Sequence, residues 1–225
     1  MINKELFEFL RELKKNNYKE WFHENKMTYQ SIKKEYEQFI AQIIAEISLF
    51  DKSIGNIEPK NCIFRINRDI RFSNDKSPYK TNFGAFIVQG GRNSGNAGYY
   101  IHLEPDNCFL SGGIYMPAAD KLKAVRTDIY ENTNDFIKIL NASDFKNHFN
   151  TITAENKLKT APKGFPKDFK YIDLLRHKDY TVIKPIKESL AISNKFIHEI
   201  KVVFKAMQPF NSFINEAINY HLNYK

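Results

Sequence analysis

The chain has 225 residues, of which 42% are hydrophobic and 14% aromatic, and its formal net charge is +8. This composition supports a packed core and excludes a globally disordered chain, and no apolar run approaches the roughly 18 residues needed to span a bilayer. The length suits one domain and no linker interrupts it, so we expect a single domain over residues 1–225.

The N-terminal residues and the two cysteines bear on the cellular compartment. Residues 1–8 carry early acids and no hydrophobic region of a signal peptide. Cys62 and Cys108 both lie in apolar, strand-like runs, which indicates reduced core residues and not a disulfide or metal pair. We therefore expect a cytoplasmic protein that does not contact a membrane.

The first 50 residues predict two amphipathic helices. Apolar residues recur every three or four positions over residues 3–16, from Leu6 to Leu13, and a second such pattern runs from Trp21 to about Phe50. The acids on the polar faces favour helices that pack on a core over helices that lie on a membrane.

The run from Phe64 to Phe72 alternates between apolar and polar residues and predicts a half-buried strand. Charged side chains two residues apart on one strand face stand about 7 Å apart. The polar face is therefore either an internal ion-pair network or a surface for an anion. The two faces carry Phe64, Ile66, Ile70 and Phe72 on the apolar side and Arg65, Asn67, Asp69 and Arg71 on the polar side.

Further strands are predicted after Ser73–Pro78, a polar loop. Residues 81–89 form one strand, and residues 99–104 and 107–115 form a hairpin. The glycine-rich segment Gly90–Gly98 lacks the spacing of a phosphate-binding loop and joins strand to strand, so we interpret it as a flexible hairpin loop. Arg92 in that loop could fold over a ligand.

The C-terminal half is mainly helical, which completes a helix, strand, helix order and predicts an α+β fold. We expect a mostly antiparallel sheet of about four to six strands, flanked by N- and C-terminal helices. The expected elements are a helix from Pro117 to about Leu140 that breaks near Asn132, short helices at 144–149 and 168–175, a strand at 179–183 that ends at Pro185, and helices at 189–207 and 211–222 separated by Pro209.

The positive charge is concentrated in two segments. Residues 60–80 hold six Lys or Arg and two acids, and residues 157–187 hold nine Lys or Arg and three acids. If the two segments meet in space they form a patch that attracts phosphates or acidic partners, whereas scattered positive charge would serve solubility alone.

Few side chains stand in a pattern typical of catalysis or metal binding. The histidines do not form a metal-binding pattern, and we expect no metal and no cofactor. His102 shares a predicted strand face with Tyr100 and Glu104, an arrangement that suits an oriented acid or base as well as an ordinary half-exposed strand histidine. Asp69, His102 and His177 are the weak catalytic candidates.

Three phrases occur in order along the chain: FLRELKKNNYKEWFHENKMTY, FRINRDIRFSNDKSPYKTNFGAF and LKTAPKGFPKDFKYIDLLRHKDY. With them the chain resembles, from about Leu6 to Ile218, the bacterial and fungal family filed as domain of unknown function 2461. That family has no assigned activity, and the resemblance implies one α+β domain. It implies signature positions at Arg65, Asp69, Arg71, Lys76, Pro78, Tyr79, Lys80, Pro162, Gly164, Arg176, His177 and Lys178.

The leading hypothesis is a basic cleft that binds a phosphate- or carboxylate-bearing ligand, with or without catalysis. Two alternatives remain: a structural or protein-interaction domain whose Arg and Asp residues form ion pairs, and a nucleic-acid-binding module. The expected partner is an anionic small molecule or a nucleic acid, and the sequence does not indicate the oligomeric state. The predicted anion-binding residues are Arg65, Asn67, Arg71, Lys76, Tyr79, Lys80, Lys163, Arg176, His177 and Lys178.

Overall fold

The computed structural model describes residues 2–154 and 156–223, and it has the predicted α+β architecture. The strands are β1 (Phe83–Ile87), β2 (Gly98–Leu103), β3 (Cys108–Ile114) and β4 (Tyr180–Ile186). The α-helices are α1 (Lys4–Lys15), α2 (Lys19–Glu24), α3 (Lys26–Ser48), α4 (Pro59–Cys62), α5 (Ala119–Glu131), α6 (Thr133–Asn141), α7 (Ser143–His148), α8 (Ile172–Leu175), α9 (Glu188–Ala191) and α10 (Phe196–Asn223).

The four strands form one open antiparallel sheet in the order β1-β2-β3-β4. The predicted hairpin is confirmed: β2 and β3 are joined by a tight turn in which the Asn107 amide donates to the Glu104 carbonyl at 3.1 Å, with Asp106 at φ 63°. Residues 88–97, which include most of the glycine-rich segment, join β1 to β2 with no helix between them. None of the helices within residues 2–154 and 156–223 is long and apolar enough to cross a bilayer.

The chain divides into two compact units. The first comprises the described residues up to 92, together with residues 100–110 and 185–202. The second comprises residues 93–99, residues 111–184 and the described residues from 203 onward. A single domain over residues 1–225 stays a prediction.

Helices α1 and α3 supply much of the core of the first unit. The side chain of Asn3 accepts the Glu5 amide and starts α1, where the buried positions Leu6, Leu10 and Leu13 recur at helical spacing. The side chain of Asn16 donates to a carbonyl of the last turn and ends the helix. The second helical pattern divides at Asn25 into α2 and α3, and the apolar stripe of α3 is fully buried.

Aromatic rings of several helices fill the core of the second unit. The Phe136 ring packs against the rings of Phe210 and Phe213 at centroid distances of 6.0 and 4.9 Å, and Phe145 packs on Phe210 at 5.7 Å. The predicted break near Asn132 is confirmed, because this residue separates α5 from α6.

The predicted strand at 64–72 is wrong. Ile63 pairs with Ala85 and Asn67 pairs with Tyr79, so the segment does run antiparallel to the chain leading into β1. However, residues 64–66 on one side of these bridges face residues 80–84 on the other, and the two extra residues form a bulge that interrupts the ladder. Beyond Arg68 the chain turns into a loop that leaves Phe72 96% exposed.

Two prolines do not end their elements as predicted. Helix α10 continues through Pro209, because buried residues on both sides of it, Met207 and Phe210 among them, anchor each half to the core. Pro185 lies inside β4 and does not end it, since an edge strand tolerates a residue without an amide hydrogen.

Candidate functional site

Arg71 is paired with a carboxylate. Its guanidinium donates from Nε and Nη2 to the two carboxylate oxygens of Asp69, at 2.9 and 2.6 Å. The hydrogen bond from Arg71 lowers the pKa of Asp69 to about 2. Both side chains are largely exposed, so the pair is a surface feature and Asp69 is a poor proton acceptor at neutral pH.

The loop that follows uses the predicted cation Lys76, and also Arg68, for its own structure. The Arg68 guanidinium pairs with Asp75 and also donates to the Ser77 carbonyl at 3.2 Å. The Asp75 carboxylate accepts the Ser77 amide and hydroxyl, and the Lys76 ammonium donates to the Ile70 carbonyl at 3.1 Å. The contacts of Arg71 fit the ion-pair alternative better than the anion-clamp hypothesis, Arg68 forms a further ion pair, and Lys76 is held by a backbone carbonyl.

The predicted residues Lys163, Arg176, His177 and Lys178 belong to the second unit. Arg176 donates to Asp173 at 3.5 Å, and the Nδ1 hydrogen of buried His177 is donated to the Thr153 carbonyl at 2.9 Å. Lys163 and Lys178 are exposed. Because the other predicted residues lie in the first unit, one cleft lined by both sets stays a prediction.

A polar groove of about 350 Å³ lies in the first unit. We call it the Lys80 groove. It has three cationic side chains and one carboxylate on its walls. Its lining residues are Lys14, Asn17, Arg68, Asp75, Ser77, Tyr79, Lys80, Thr81 and Asn82.

Asn17 fixes one wall of the groove. Its side-chain amide donates to the Tyr79 carbonyl at 2.9 Å and accepts the Tyr79 amide at 3.1 Å, so it replaces a neighbouring strand. The Tyr79 ring is stacked on Phe22 at 3.9 Å between centroids. Tyr79 therefore forms part of the wall, and this stacked face of its ring is closed to a ligand.

Lys80 is the half-buried lysine of the groove. Its ammonium lies 5.2 Å from the centre of the Phe64 ring, and no carboxylate within the described residues comes within ion-pair distance of it. Burial lowers the pKa of the Lys80 ammonium, and the charges of Arg65 and Arg92 lower it further. Arg92 is held nearby by hydrogen bonds to the backbone of α4, one of them to the Lys60 carbonyl at 3.0 Å.

Next to the groove, a hydrogen-bonded row of three side chains follows β2 and the residue directly after it, and we call this row the Tyr100 chain. The Tyr100 hydroxyl lies 2.9 Å from His102 Nδ1, and His102 Nε2 lies 3.3 Å from Glu104 Oε2. The Phe109 ring stacks on His102 at 4.4 Å. Thr81, which lines the groove, donates its hydroxyl to Glu104 Oε1 at 2.7 Å and so links the Lys80 groove to the chain.

The surroundings set the protonation states of the Tyr100 chain. Burial lowers the pKa of His102, although Glu104 opposes this shift, and burial raises the pKa of Tyr100 to about 12. Burial tends to raise the pKa of Glu104, but hydrogen bonds from Thr81, Asn107 and His102 outweigh it and the pKa is lowered. At neutral pH the chain is therefore a neutral tyrosine, a neutral histidine and an ionised glutamate.

The residues that line the Lys80 groove all come from the first two phrases quoted above. The family profile described as "Conserved hypothetical protein (DUF2461)" matches residues 5–213. The chain belongs to this family. No curated protein and no solved structure matches the chain at a significant level, so membership in DUF2461 fixes no activity and the site geometry carries the functional argument.

Sequence reasoning missed several groove residues of this DUF2461 protein. Lys14, Asn17 and Thr81 were not candidates, because nothing in the local pattern shows that the end of α1 meets the chain before β1. Their presence in the family phrases was the available signal. Among the described residues, no group of three His, Cys, Asp or Glu could hold a metal ion.

The two buried histidines predict a pH dependence of stability. Burial lowers the pKa values of His102 and His177 below the value of about 6.5 of an unfolded histidine. Below pH 6.5 the unfolded chain therefore binds protons that the folded chain resists, so the free energy of unfolding decreases as the pH falls. We expect urea melts between pH 8 and 5 to show this loss.

Replacement of either histidine by glutamine tests the cause of that loss. We expect His177→Gln to flatten the pH dependence, and His198→Gln, at an exposed position of α10, to leave it as in the wild type. Equal slopes for wild type and His177→Gln would contradict a contribution of His177.

Proposed function

We propose that the Lys80 groove binds the anionic group, a phosphate or a carboxylate, of a small ligand. The observation that carries this proposal is the half-buried Lys80 ammonium, which lies in the field of Arg65 and Arg92 and has no carboxylate partner among the described residues. Like charges held together at reduced hydration repel one another, and a bound anion relieves that repulsion.

The size and lining of the groove support a small ligand. A volume of about 350 Å³ is at the lower end of the range for small-molecule sites. Lys14 adds a second ammonium to the wall, and Thr81 and Asn82 offer polar groups that could orient the rest of the ligand. Arg68 already forms an ion pair with Asp75, so the positive charge of Arg68 is partly neutralised.

A nucleic acid is the second candidate, and the exposed Phe72 ring favours it. The Arg71 guanidinium lies 5.8 Å from the centre of that ring. An exposed aromatic ring on a basic loop suits the stacking of an unpaired base. This mode of binding would be strongly salt-dependent, whereas capture of a small anion in the Lys80 groove would resist salt better.

Calorimetric titration with inorganic sulfate, inorganic phosphate and a short single-stranded oligonucleotide, each at low and high salt, tests both candidates. We expect sulfate and phosphate to bind the wild type. We expect Lys80→Ala to weaken that binding about tenfold to hundredfold, because a charge-assisted hydrogen bond is lost. Lys205→Ala is the matched control, since Lys205 is an exposed lysine of α10.

The results separate the candidates. Equal affinities of wild type and Lys80→Ala, or no binding of either inorganic anion, would contradict the Lys80 groove as an anion site. Oligonucleotide binding that Phe72→Ala abolishes and Lys80→Ala preserves would favour the nucleic-acid candidate. Weakening by Lys163→Ala would support the wider cleft predicted from the sequence.

We also propose a cytoplasmic location, and the state of the two cysteines supports it. Cys62 and Cys108 are both buried and have free thiols. Burial raises the pKa of each thiol to about 11, so neither is a reactive thiolate at neutral pH.

A further inference from the structure

We propose that the Tyr100 chain passes a proton to and from an anionic ligand held in the Lys80 groove, with the Tyr100 oxygen as the atom that meets the ligand. This inference rests on the proposed function and adds chemistry to it. Tyr100 would be the catalytic residue, and His102 and Glu104 would be positioning residues that act through it.

The hydrogen bonds of the Tyr100 chain determine which side chain donates and which accepts at each step. The Glu104 carboxylate accepts from Thr81 and Asn107, at 2.7 and 2.9 Å, which holds it in the ionised, accepting state. His102 must then donate its Nε2 hydrogen to Glu104 and keep the lone pair on Nδ1. The Tyr100 hydroxyl therefore donates to His102, and its oxygen is left as an acceptor.

With these donors and acceptors, a bound anion and His102 compete for the single hydroxyl hydrogen of Tyr100. Tyr100 has a single hydroxyl hydrogen, and while neutral His102 accepts it, an anion cannot. When His102 takes up a proton, its Nδ1 becomes a donor to the Tyr100 oxygen, and the Tyr100 hydrogen turns to the ligand. Anion binding and protonation of His102 are therefore coupled.

The same exchange balances as an acid–base step. Tyr100 gives its hydrogen to an oxygen of the ligand, its own oxygen takes the Nδ1 hydrogen of protonated His102, and neutral His102 remains paired with Glu104. In the reverse direction a ligand proton passes to the Tyr100 oxygen while the Tyr100 proton passes to His102. The substrate class is a phosphorylated or carboxylated small molecule in which an oxygen gains or loses a proton.

The Tyr100 chain and Lys80 share one neighbour, the Phe64 ring. The Phe64 ring contacts both, with its centre 5.2 Å from the Lys80 ammonium and 6.1 Å from the centre of the Tyr100 ring. Gly84 allows Tyr100 to lie over β1, because a Cβ atom there would be only 2.8 Å from the Tyr100 hydroxyl. The position of the hydroxyl is thus set by the backbone beneath it.

Burial and Glu104 have opposite effects on the protonation of His102. Burial is the larger effect and disfavours the imidazolium, whereas Glu104, just after β2, favours it; Phe109 on β3 contributes no charge. A ligand anion at the Tyr100 oxygen adds a negative charge near His102 and so favours its protonation.

Proton linkage tests the coupling. Sulfate is the probe, because it has no group that titrates near neutral pH. Titrations at pH 7.5 in buffers of different ionisation enthalpy give the number of protons taken up, and we expect up to about one proton per sulfate bound by the wild type. We expect uptake to vanish in Tyr100→Phe and in His102→Gln, with sulfate still bound through Lys80.

The outcomes distinguish this inference from the proposed function. Sulfate binding without proton uptake, or with uptake preserved in Tyr100→Phe, would overturn the proton transfer and leave the anion site intact. No sulfate binding by the wild type would overturn both. Nitrogen chemical shifts of the wild-type His102 ring give a check without any variant: we expect an Nε2–H tautomer that becomes an imidazolium with sulfate, and an Nδ1–H tautomer would overturn the assigned direction.

Discussion

Gly113→Ala is expected to destabilise the second unit by more than about 4 kcal/mol, a loss that is exceptional for a single substitution. Gly113 lies in β3 with φ 105°, a backbone conformation that alanine avoids. A Cβ atom there would overlap the backbone carbonyl of Tyr180 in β4, and backbone atoms of a sheet cannot move aside without separating the strands. Urea unfolding of the purified variant measures the loss.

Gly164→Ala is the matched control, because Gly164 also has a positive φ, 93°, but no atom beyond its own chain neighbours lies within 4 Å of the added carbon. We expect it to cost about 1–2 kcal/mol, the penalty of the backbone conformation alone. Similar losses in the two variants would contradict the close approach of β3 and β4 as the main cause at Gly113.

Asn17→Ala is expected to lower the stability of the first unit by about 2 kcal/mol, because the Tyr79 amide and carbonyl both lose their partner in a partly buried place. The same change frees one wall of the Lys80 groove, so we also expect weaker sulfate binding. Thermal melts and calorimetric titration measure the two effects.

Asn16→Ala separates this effect from simple loss of a helix end. Its side chain makes one exposed hydrogen bond, to the Glu12 carbonyl at 3.0 Å, so its removal should cost less than about 1 kcal/mol. It should leave sulfate binding unchanged. If Asn16→Ala and Asn17→Ala behaved alike, the amide clamp on Tyr79 would not hold the groove.

The parts of the fold that sequence reasoning predicted are those set by local spacing. Helix α1 follows from apolar residues three and four positions apart, and the β2–β3 hairpin follows from alternation around a turn. The prediction of a strand at 64–72 was wrong because an alternation of apolar and polar residues carries no information about the register of pairing. The bulge between the Ile63 and Asn67 bridges depends on where the partner chain pairs.

The candidate site was predictable only in part, for the same physical reason. The charge pattern drew attention to Lys80 and Arg65, and strand spacing placed His102 beside Glu104, as the structure has it. Which cations have a carboxylate partner is a matter of side-chain contacts such as Arg71 with Asp69. The contact of Asn17 with Tyr79 joins positions 62 residues apart, and no local pattern reports it.

Strand β4 stands at the end of the sheet and carries Pro185 within it. A proline has no amide hydrogen. A strand of a second protein molecule therefore cannot accept a backbone hydrogen bond from β4 at Pro185. Lys184 and Lys187 add positive charge on either side of it. This edge is therefore protected against the strand-by-strand aggregation to which an uninterrupted apolar edge would be open, and Pro185→Val should make the protein more prone to form fibrils on storage.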